Sequence, residues 1–379
     1  MLDLEQQIFK QIEKSKKILI VFPENWNGDS IASALAFFLF LKKEGYDVNI
    51  VAKKTEQSSL RFDFLPGYSE IEDSLSDIRR FIVSLDISKT KVSQIKYAVE
   101  KDELNFIISP EDGWFSPEDV KTKAGEFKYD LIIVLGSIDL ESLGNIYDQN
   151  IEFFFKTTII NIDNQSANEE YGQINFIDLN AVSVSELVFY LLKNYKISSI
   201  DEDIATNLLA GIIIKTKNFK SQNITPRALL STSELINLKA RREDIVDNLY
   251  RSRTLSDLKL WGKILNNLKS ELDGELIWSS LRLSDFQSGE ANDNNLGDIV
   301  DELIISVPNA KIVIILQEQD EAKTKMLFYS LKNINALEFT KEYSSYGTIK
   351  IVQAIINQDI GTASLEIISE LKNKLDKLR

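Results

Sequence analysis

The chain contains neither cysteine nor histidine in 379 residues. Without cysteine there are no disulfides, no thiolate nucleophiles and no thiolate zinc sites. Without histidine there is no Ser-His-Asp triad, no H-E-x-x-H zinc site and no imidazole to act as general base. Metal chemistry is left to oxygen ligands on a hard cation such as magnesium or manganese. No apolar run is long enough for a membrane helix, so no membrane partner is expected. The opening "MLDLEQQIFKQIEKSKK" is amphipathic and has no signal-peptide core, which makes a cytoplasmic protein the expectation. Positive charge is also short. The net charge of −14 opposes binding to long nucleic acid, whose affinity rests on phosphate neutralisation.

What is present is a folded composition, 44% hydrophobic and 27% charged, in a length that suits two domains. The first half alternates strands and helices. "KILIVF" (17–22), "DVNIVA" (47–52), "YDLIIVLG" (129–136) and "TTIINID" (157–163) read as short buried strands. "SIASALAFFLFLKKEG" reads as a helix, with Asp29 or Ser30 as its N-cap and Gly45 as its stop. This pattern predicts an α/β fold with a parallel sheet covered by helices on both faces. Ligands in such sheets sit beyond the carboxyl ends of the strands. Here those ends are Pro23–Asp29, Gly136–Asp139 and Asp163–Ser166, which should lie together.

Residues 80–125 read as an added unit. "RFIVSLDI" and "LNFIIS" are expected as strands of an antiparallel extension at the sheet edge, and "PEDGWFSPEDV" as a turn-rich loop with Trp114 packed on its own sheet. The pattern is helical from about 183 to 268. The expected division is a first domain over 1–250, a connecting helix over 251–270 and a smaller α/β domain over 271–379. Residues 215–263 run against the overall charge, with basic side chains such as Lys215, Arg227, Arg241, Arg251 and Arg253 outnumbering acids such as Asp257. A solvated helical face is the plainer reading and an anion-attracting wall the sharper one.

Several segments, taken in order, resemble the DHH phosphoesterases, in particular the branch with short-RNA nuclease and phosphoadenosine-phosphate phosphatase activity. "PENWNGDSIAS" stands where that family has H-x-x-P-D-x-D-A-x-G-S, and "YDLIIVLGSIDLESLG" where a strand ends in aspartate and runs on to R-L-G. "NIDNQSANEEYGQINFIDLNAVSVSELVFYLL" follows the order of D-H-H, S-N, Y-G and an S-T-S-E helix. "GIIIKTKNF" stands for G-I-x-x-D-T-x-x-F, and "FYSLKN" in the C-terminal half for S-x-R-S of a DHHA1-like domain.

The resemblance implies two divalent cations, typically manganese, that activate a water on a phosphoryl group. Carried over position by position, the metal-ligand places hold Pro23, Asn27, Asp29, Gly136, Asn164 and Lys215. Asp29 alone keeps a strong ligand there. Asp163 survives at its strand end, but the His-His pair that follows is Asn164-Gln165. The second domain's glycine-rich motif appears as "SSYGTIK" with Gly347 and no histidine, and the phosphate-binding arginine becomes Lys332, which keeps charge but loses the bidentate fork.

The expectation is a protein without phosphoesterase turnover and without a resident cofactor. Lys215 would form a salt bridge with Asp29 and Asp163, and Trp26 would fill the space the metals left. Lys215, Asn164, Lys332 and Ser330 would face a small anionic nucleotide or short oligonucleotide between the domains. The alternative is an active hydrolase with Asp29, Asp139, Asp163 and Asp178 around one magnesium or manganese, Asp29 and Asp163 being its candidate catalytic residues. A third reading makes the 80–125 unit a docking surface for a protein partner or a second copy.

Overall fold

The structure, a computed structural model, describes residues 3–54, 62–221, 223–251, 255–285, 299–300, 307–332 and 334–377. Arg253 and the side chain of Asp257, counted in the basic stretch, lie outside the described residues. The chain divides into two compact units, Met1–Arg251 and Ser252–Arg379.

The strands of the first unit are β1 (Ile18–Val21), β2 (Val48–Val51), β3 (Ile71–Glu72), β4 (Arg79–Leu85), β5 (Val92–Glu100), β6 (Glu103–Pro110), β7 (Val120–Phe127), β8 (Leu131–Leu135), β9 (Thr158–Asp163) and β10 (Ile174–Ile177). Six of them form a sheet in the order β10-β9-β8-β1-β2-β3, and every pairing in it is parallel. β1, β8 and most of β9 are buried, as expected for strands covered on both faces. The helices of this unit include α1 (Leu4–Lys14), α2 (Gly28–Lys43), α3 (Val184–Lys196), α4 (Glu202–Lys215), α5 (Pro226–Asn237) and α6 (Arg242–Tyr250). No described helix is long and apolar enough to cross a membrane.

α2 is the central helix. It is apolar nearly all round because it packs against α3 and α4 as well as the sheet. Its N-cap is Asn27, whose side chain accepts Ser30 N–H at 2.8 Å, and not Asp29 or Ser30 as the sequence suggested. The chain enters the helix two residues earlier than the apolar pattern indicates, which leaves Asp29 inside the first turn and free to face a neighbour.

The inserted unit also departs from expectation. Among the described residues its strands do not extend the main sheet. β4 pairs with β7, and β5 with β6, as two separate antiparallel ribbons. Trp114 is 82% exposed and packs on neither.

The second unit holds the sheet β11-β12-β13-β14-β16-β15, formed by Lys269–Glu271 (β11), Leu276–Leu281 (β12), Ile312–Asp320 (β13), Lys323–Ser330 (β14), Tyr346–Gly347 (β15) and Ile351–Ile356 (β16). Among the described strands of this sheet, β12 and β13 alone pair in parallel. Helix α7 (Leu255–Asn266), within the expected connecting helix, buries Leu260, Trp261 and Ile264 in a cluster with Ile277, Val313 and Ile315 of this sheet. The closing helix α8 (Ile360–Asp376) packs on the opposite cluster through Ile367 and Leu371.

α4 meets α2 and α3 at Gly211. A Cβ there would lie 1.9 Å from Ser185 Oγ and 2.9 Å from Asp29 Oδ1. In an open helix Gly→Ala gains about 1 kcal/mol. Here the overpacking cost, typically 1–3 kcal/mol, dominates. Gly211→Ala is expected to lower the urea midpoint of the first unit with an unchanged m-value, the reverse of the propensity effect.

Candidate functional site

From β1 the chain passes to β2 on one side, while β8 lies on the other. The order therefore reverses at β1, and a crevice opens beyond the carboxyl ends of β1 and β8. The three expected strand ends do meet here. The Cβ that Gly136 lacks would sit 3.1 Å from Ser30 Cβ, and Asn168 bridges Ser137 and Asp163.

Asp29 is 2% exposed. Its Oδ2 accepts Val184 N–H at 2.8 Å, and its Oδ1 accepts Ser185 N–H at 2.9 Å and Ser185 Oγ–H at 2.7 Å. Val184 and Ser185 are the first two residues of α3, so Asp29 caps a helix other than its own, alongside that helix's N-cap Ser183. Burial pushes the Asp29 carboxyl above its ordinary range, while the charge of Lys215 and the donors of Ser185 and Val184 pull it back.

Asp163 is fully buried. Asn168 Nδ2–H reaches its Oδ2 at 2.9 Å, and Asn164 N–H and Gln165 Nε2–H reach its Oδ1 at 2.8 and 3.4 Å. Asn168 also donates to the Ser137 carbonyl at 2.9 Å and accepts from Asn161 Nδ2 at 2.7 Å, which extends the network to Asn175. It is the hub of the turn and not only its shape. Tyr171 donates to the same Ser137 carbonyl at 3.0 Å; burial, reinforced by the negative charge of Asp163, pushes its phenol well up.

Lys215 makes no ion pair with Asp29 or Asp163. It is exposed and acts on Asp29 only through its field. The expected salt-bridged core is therefore corrected: backbone N–H groups, a hydroxyl and neutral amides satisfy the two acids. Trp26 packs edge-on against Phe22 and Tyr68. Lys215 instead lines an open cleft of about 530 Å³ with Asn164, Gln165, Asn180, Asn223 and Thr225. Asn164 donates to the Ala181 carbonyl at 2.9 Å, and its buried Oδ1 has no hydrogen-bond partner among the described residues.

The other two acids of the alternative point elsewhere. Asp139 accepts from the N–H and hydroxyl of Ser142. Asp178 is paired at 2.8 Å with Arg227, which also holds the buried Glu186 at 2.8 Å. Burial opposes ionisation of Asp178, but the hydrogen bonds from Arg227 and Asn180 outweigh it and hold its carboxyl below the ordinary range. Sequence reasoning did not find Ser185, Asn168 or this Arg227–Glu186–Asp178 group. A divalent cation needs several anionic oxygens free to face it. Among the described residues no three Asp or Glu side chains gather to hold one, and Pro23, Asn27 and Gly136 offer it no carboxylate. The donor set fits neither a metal pair nor the single ion of the alternative.

The basic stretch is largely neutralised by partners. Arg241 binds Glu202 and Asp203, Arg251 binds Asp247, and Lys263 binds Asp285. In the second unit, Lys332 is exposed and donates to the Pro308 carbonyl at 3.3 Å, and Ser330 Oγ–H turns back to the Lys332 carbonyl at 2.7 Å. Gly347 sits in β15 with φ +142°, where a Cβ would lie 2.3 Å from the Ile351 carbonyl oxygen.

This chain matches the family model described as "DHH family, N-terminal domain" over residues 17–212, more than half its length. It belongs to the DHH family. This DHH chain is 24% identical over 220 residues to the "Bifunctional oligoribonuclease and PAP phosphatase NrnA" of Thermus thermophilus, covering 58% of itself and 65% of that protein. It is 28% identical over 118 residues to the protein of the same description from Bacillus subtilis, covering 31% of itself and 37% of the relative. The match thus spans just under two thirds of the Thermus protein and about a third of the Bacillus one. A solved exopolyphosphatase-related protein from Bacteroides fragilis shares the fold at TM-score 0.68 and 19% identity, over 98% of this chain and 96% of that one.

Asp29→Asn replaces one acceptor oxygen with an NH₂ group that must face an N–H or a hydroxyl. Leaving one buried donor unsatisfied costs about 1–3 kcal/mol. The variant is expected to lose that much stability in urea unfolding, although the substitution is isosteric. Equal stability would mean that Asp29 does not hold α3.

Proposed function

We propose that this DHH-family chain does not turn over phosphoesters and binds a small anionic nucleotide or short oligonucleotide at the cleft beside Lys215. One observation carries the proposal. Asp29 and Asp163, the two acids that survive at the family's metal positions and strand end, already accept hydrogen bonds from protein donors on both oxygens. A metal-activated water needs those oxygens as ligands. Asp29 takes three hydrogen bonds from α3 and Asp163 three from the turn after β9, which leaves each with little lone-pair capacity for a cation, and no histidine is present to add ligands.

The cleft has other means of holding an anion. Lys215 supplies a charge that no ion pair among the described residues takes up, and Asn180, Asn223 and Thr225 supply neutral polar groups. A cation with amide groups suits a phosphate and the polar edge of a base, at the affinity of a weak ligand and not of a polyanion. The descriptions of the Thermus and Bacillus relatives, oligoribonuclease and PAP phosphatase, name ligands of this size and charge for those proteins.

The experiment is an activity and binding measurement on the full chain. With 5′-phosphorylated dinucleotides and phosphoadenosine phosphate, turnover should equal the buffer blank both with manganese and with chelator. The same compounds should raise the melting temperature, and Lys215→Ala should abolish that rise while leaving the unliganded melting temperature within about 1 °C, as for an exposed substitution. Chelator-sensitive turnover that disappears in Asp163→Ala would establish the hydrolase instead.

A further inference from the structure

Two connectors line the cleft beside Lys215. Residues 178–183 run from β10 to α3, and residues 223–225 lead into α5. Neither is a helix or a strand, so no backbone ladder fixes them against each other. Arg227 does. It is the second residue of α5, two past Thr225, the N-cap whose hydroxyl oxygen accepts Ala228 N–H at 3.1 Å. A cation in the first turn of a helix faces the positive end of that helix's own dipole, so α5 itself does not favour arginine here. The partners of Arg227 lie on the other connector. Its Nη1 donates to Asp178 Oδ2 at 2.8 Å, and its Nε to Glu186 Oε1 at 2.8 Å.

Each of these acids spends its second oxygen on the backbone of the cleft. Asp178 Oδ1 accepts Asn180 N–H at 2.9 Å, and Glu186 Oε2 accepts Val182 N–H at 2.8 Å. Between them, Ala181 N–H donates to the Asp178 carbonyl at 3.2 Å, and the Ala181 carbonyl accepts Asn164 Nδ2–H at 2.9 Å. Three successive backbone N–H groups of the connector are thus fixed, two of them by acids that Arg227 holds. The guanidinium is a rigid planar fork, so its two donors keep both acids in one fixed relation. Its charge is matched by two carboxylates, and its side chain does not line the cleft. What Arg227 can give a ligand is therefore geometry and not attraction. A lining that is already ordered spares the ligand the cost of ordering it.

We infer that Arg227 is a positioning residue for this cleft. It holds the 178–183 connector against the start of α5, and so sets the affinity for the anionic nucleotide without touching it. The affinity part rests on the reading of the cleft as an anion site.

The test combines two measurements on the full chain: hydrogen exchange over residues 178–186 without ligand, read by mass spectrometry, and the affinity for phosphoadenosine phosphate, read by titration calorimetry. Arg227→Lys keeps the charge but cannot serve both acids from one fork. Asp178→Asn removes a negative charge and one end of the bridge. Both variants should speed exchange in the segment and weaken binding roughly tenfold, the loss expected when a preorganised lining must be ordered by the ligand. A field effect has the opposite sign for Asp178→Asn, because removing an acid favours an anion. A role confined to stability would lower the melting temperature and leave the affinity of the folded chain as it was. Unchanged exchange in both variants overturns the bridge. Tighter binding by Asp178→Asn, or unaltered affinity in both variants, overturns the positioning role. A wild-type chain that binds no phosphoadenosine phosphate overturns the anion reading and the affinity part with it, while exchange still decides whether Arg227 holds the connector.

Discussion

One carboxylate ties two helix starts together. Asp29 sits in the first turn of α2 and accepts the leading N–H groups of α3, 155 and 156 residues further along the chain. Everything near the crevice is arranged around that contact. α4 can cross only because residue 211 is glycine, and the β8 exit can pass only because residue 136 is glycine. The carboxylate acts as a cap for α3. Its two oxygens face a helix N-terminus, where partial positive charge is fixed in place and needs no metal to supply it.

Fixed protein donors also surround Asp163. A buried carboxylate is costly without partners. Here Asn168, Asn164 and Gln165 supply them from the turn that leaves β9. Neutral amides satisfy the acid without adding an opposing charge, and Lys215 remains exposed. A family member that loses its histidines need not lose its fold, because the remaining acids can be satisfied from inside the chain.

The sheet was legible because β1, β2, β8 and β9 are short apolar runs with turn residues at their ends, and the order of those runs is what resembled the DHH family. That Pro23, Gly136 and Lys215 bring no carboxylate or imidazole to those positions is read directly from residue type. The partners of the surviving acids were not legible. Ser185 lies in a helix that the sequence displays, but nothing local says that its N–H faces Asp29, since the contact exists only after α2 and α3 pack. Asn168 lies in the turn after β9, and nothing local says that its side chain reaches Asp163, Ser137 and Asn161 together. Lys215 misled for the opposite reason: a charge count on paper brings lysine and aspartate together, whereas the helix end it occupies points the ammonium toward solvent. The inserted strands were recognised by alternation, which reports an apolar face but not what covers it.

The central claim is that the acids of this crevice are already engaged and hold no manganese. Electron paramagnetic resonance of free manganese, titrated against the histidine-free chain at neutral pH, measures this directly. The account predicts that the free-ion signal rises in proportion to added metal from the first addition, with any weak loss unchanged in Asp29→Ala. Stoichiometric disappearance of one or two equivalents of signal, abolished by Asp29→Ala or Asp163→Ala, would contradict it.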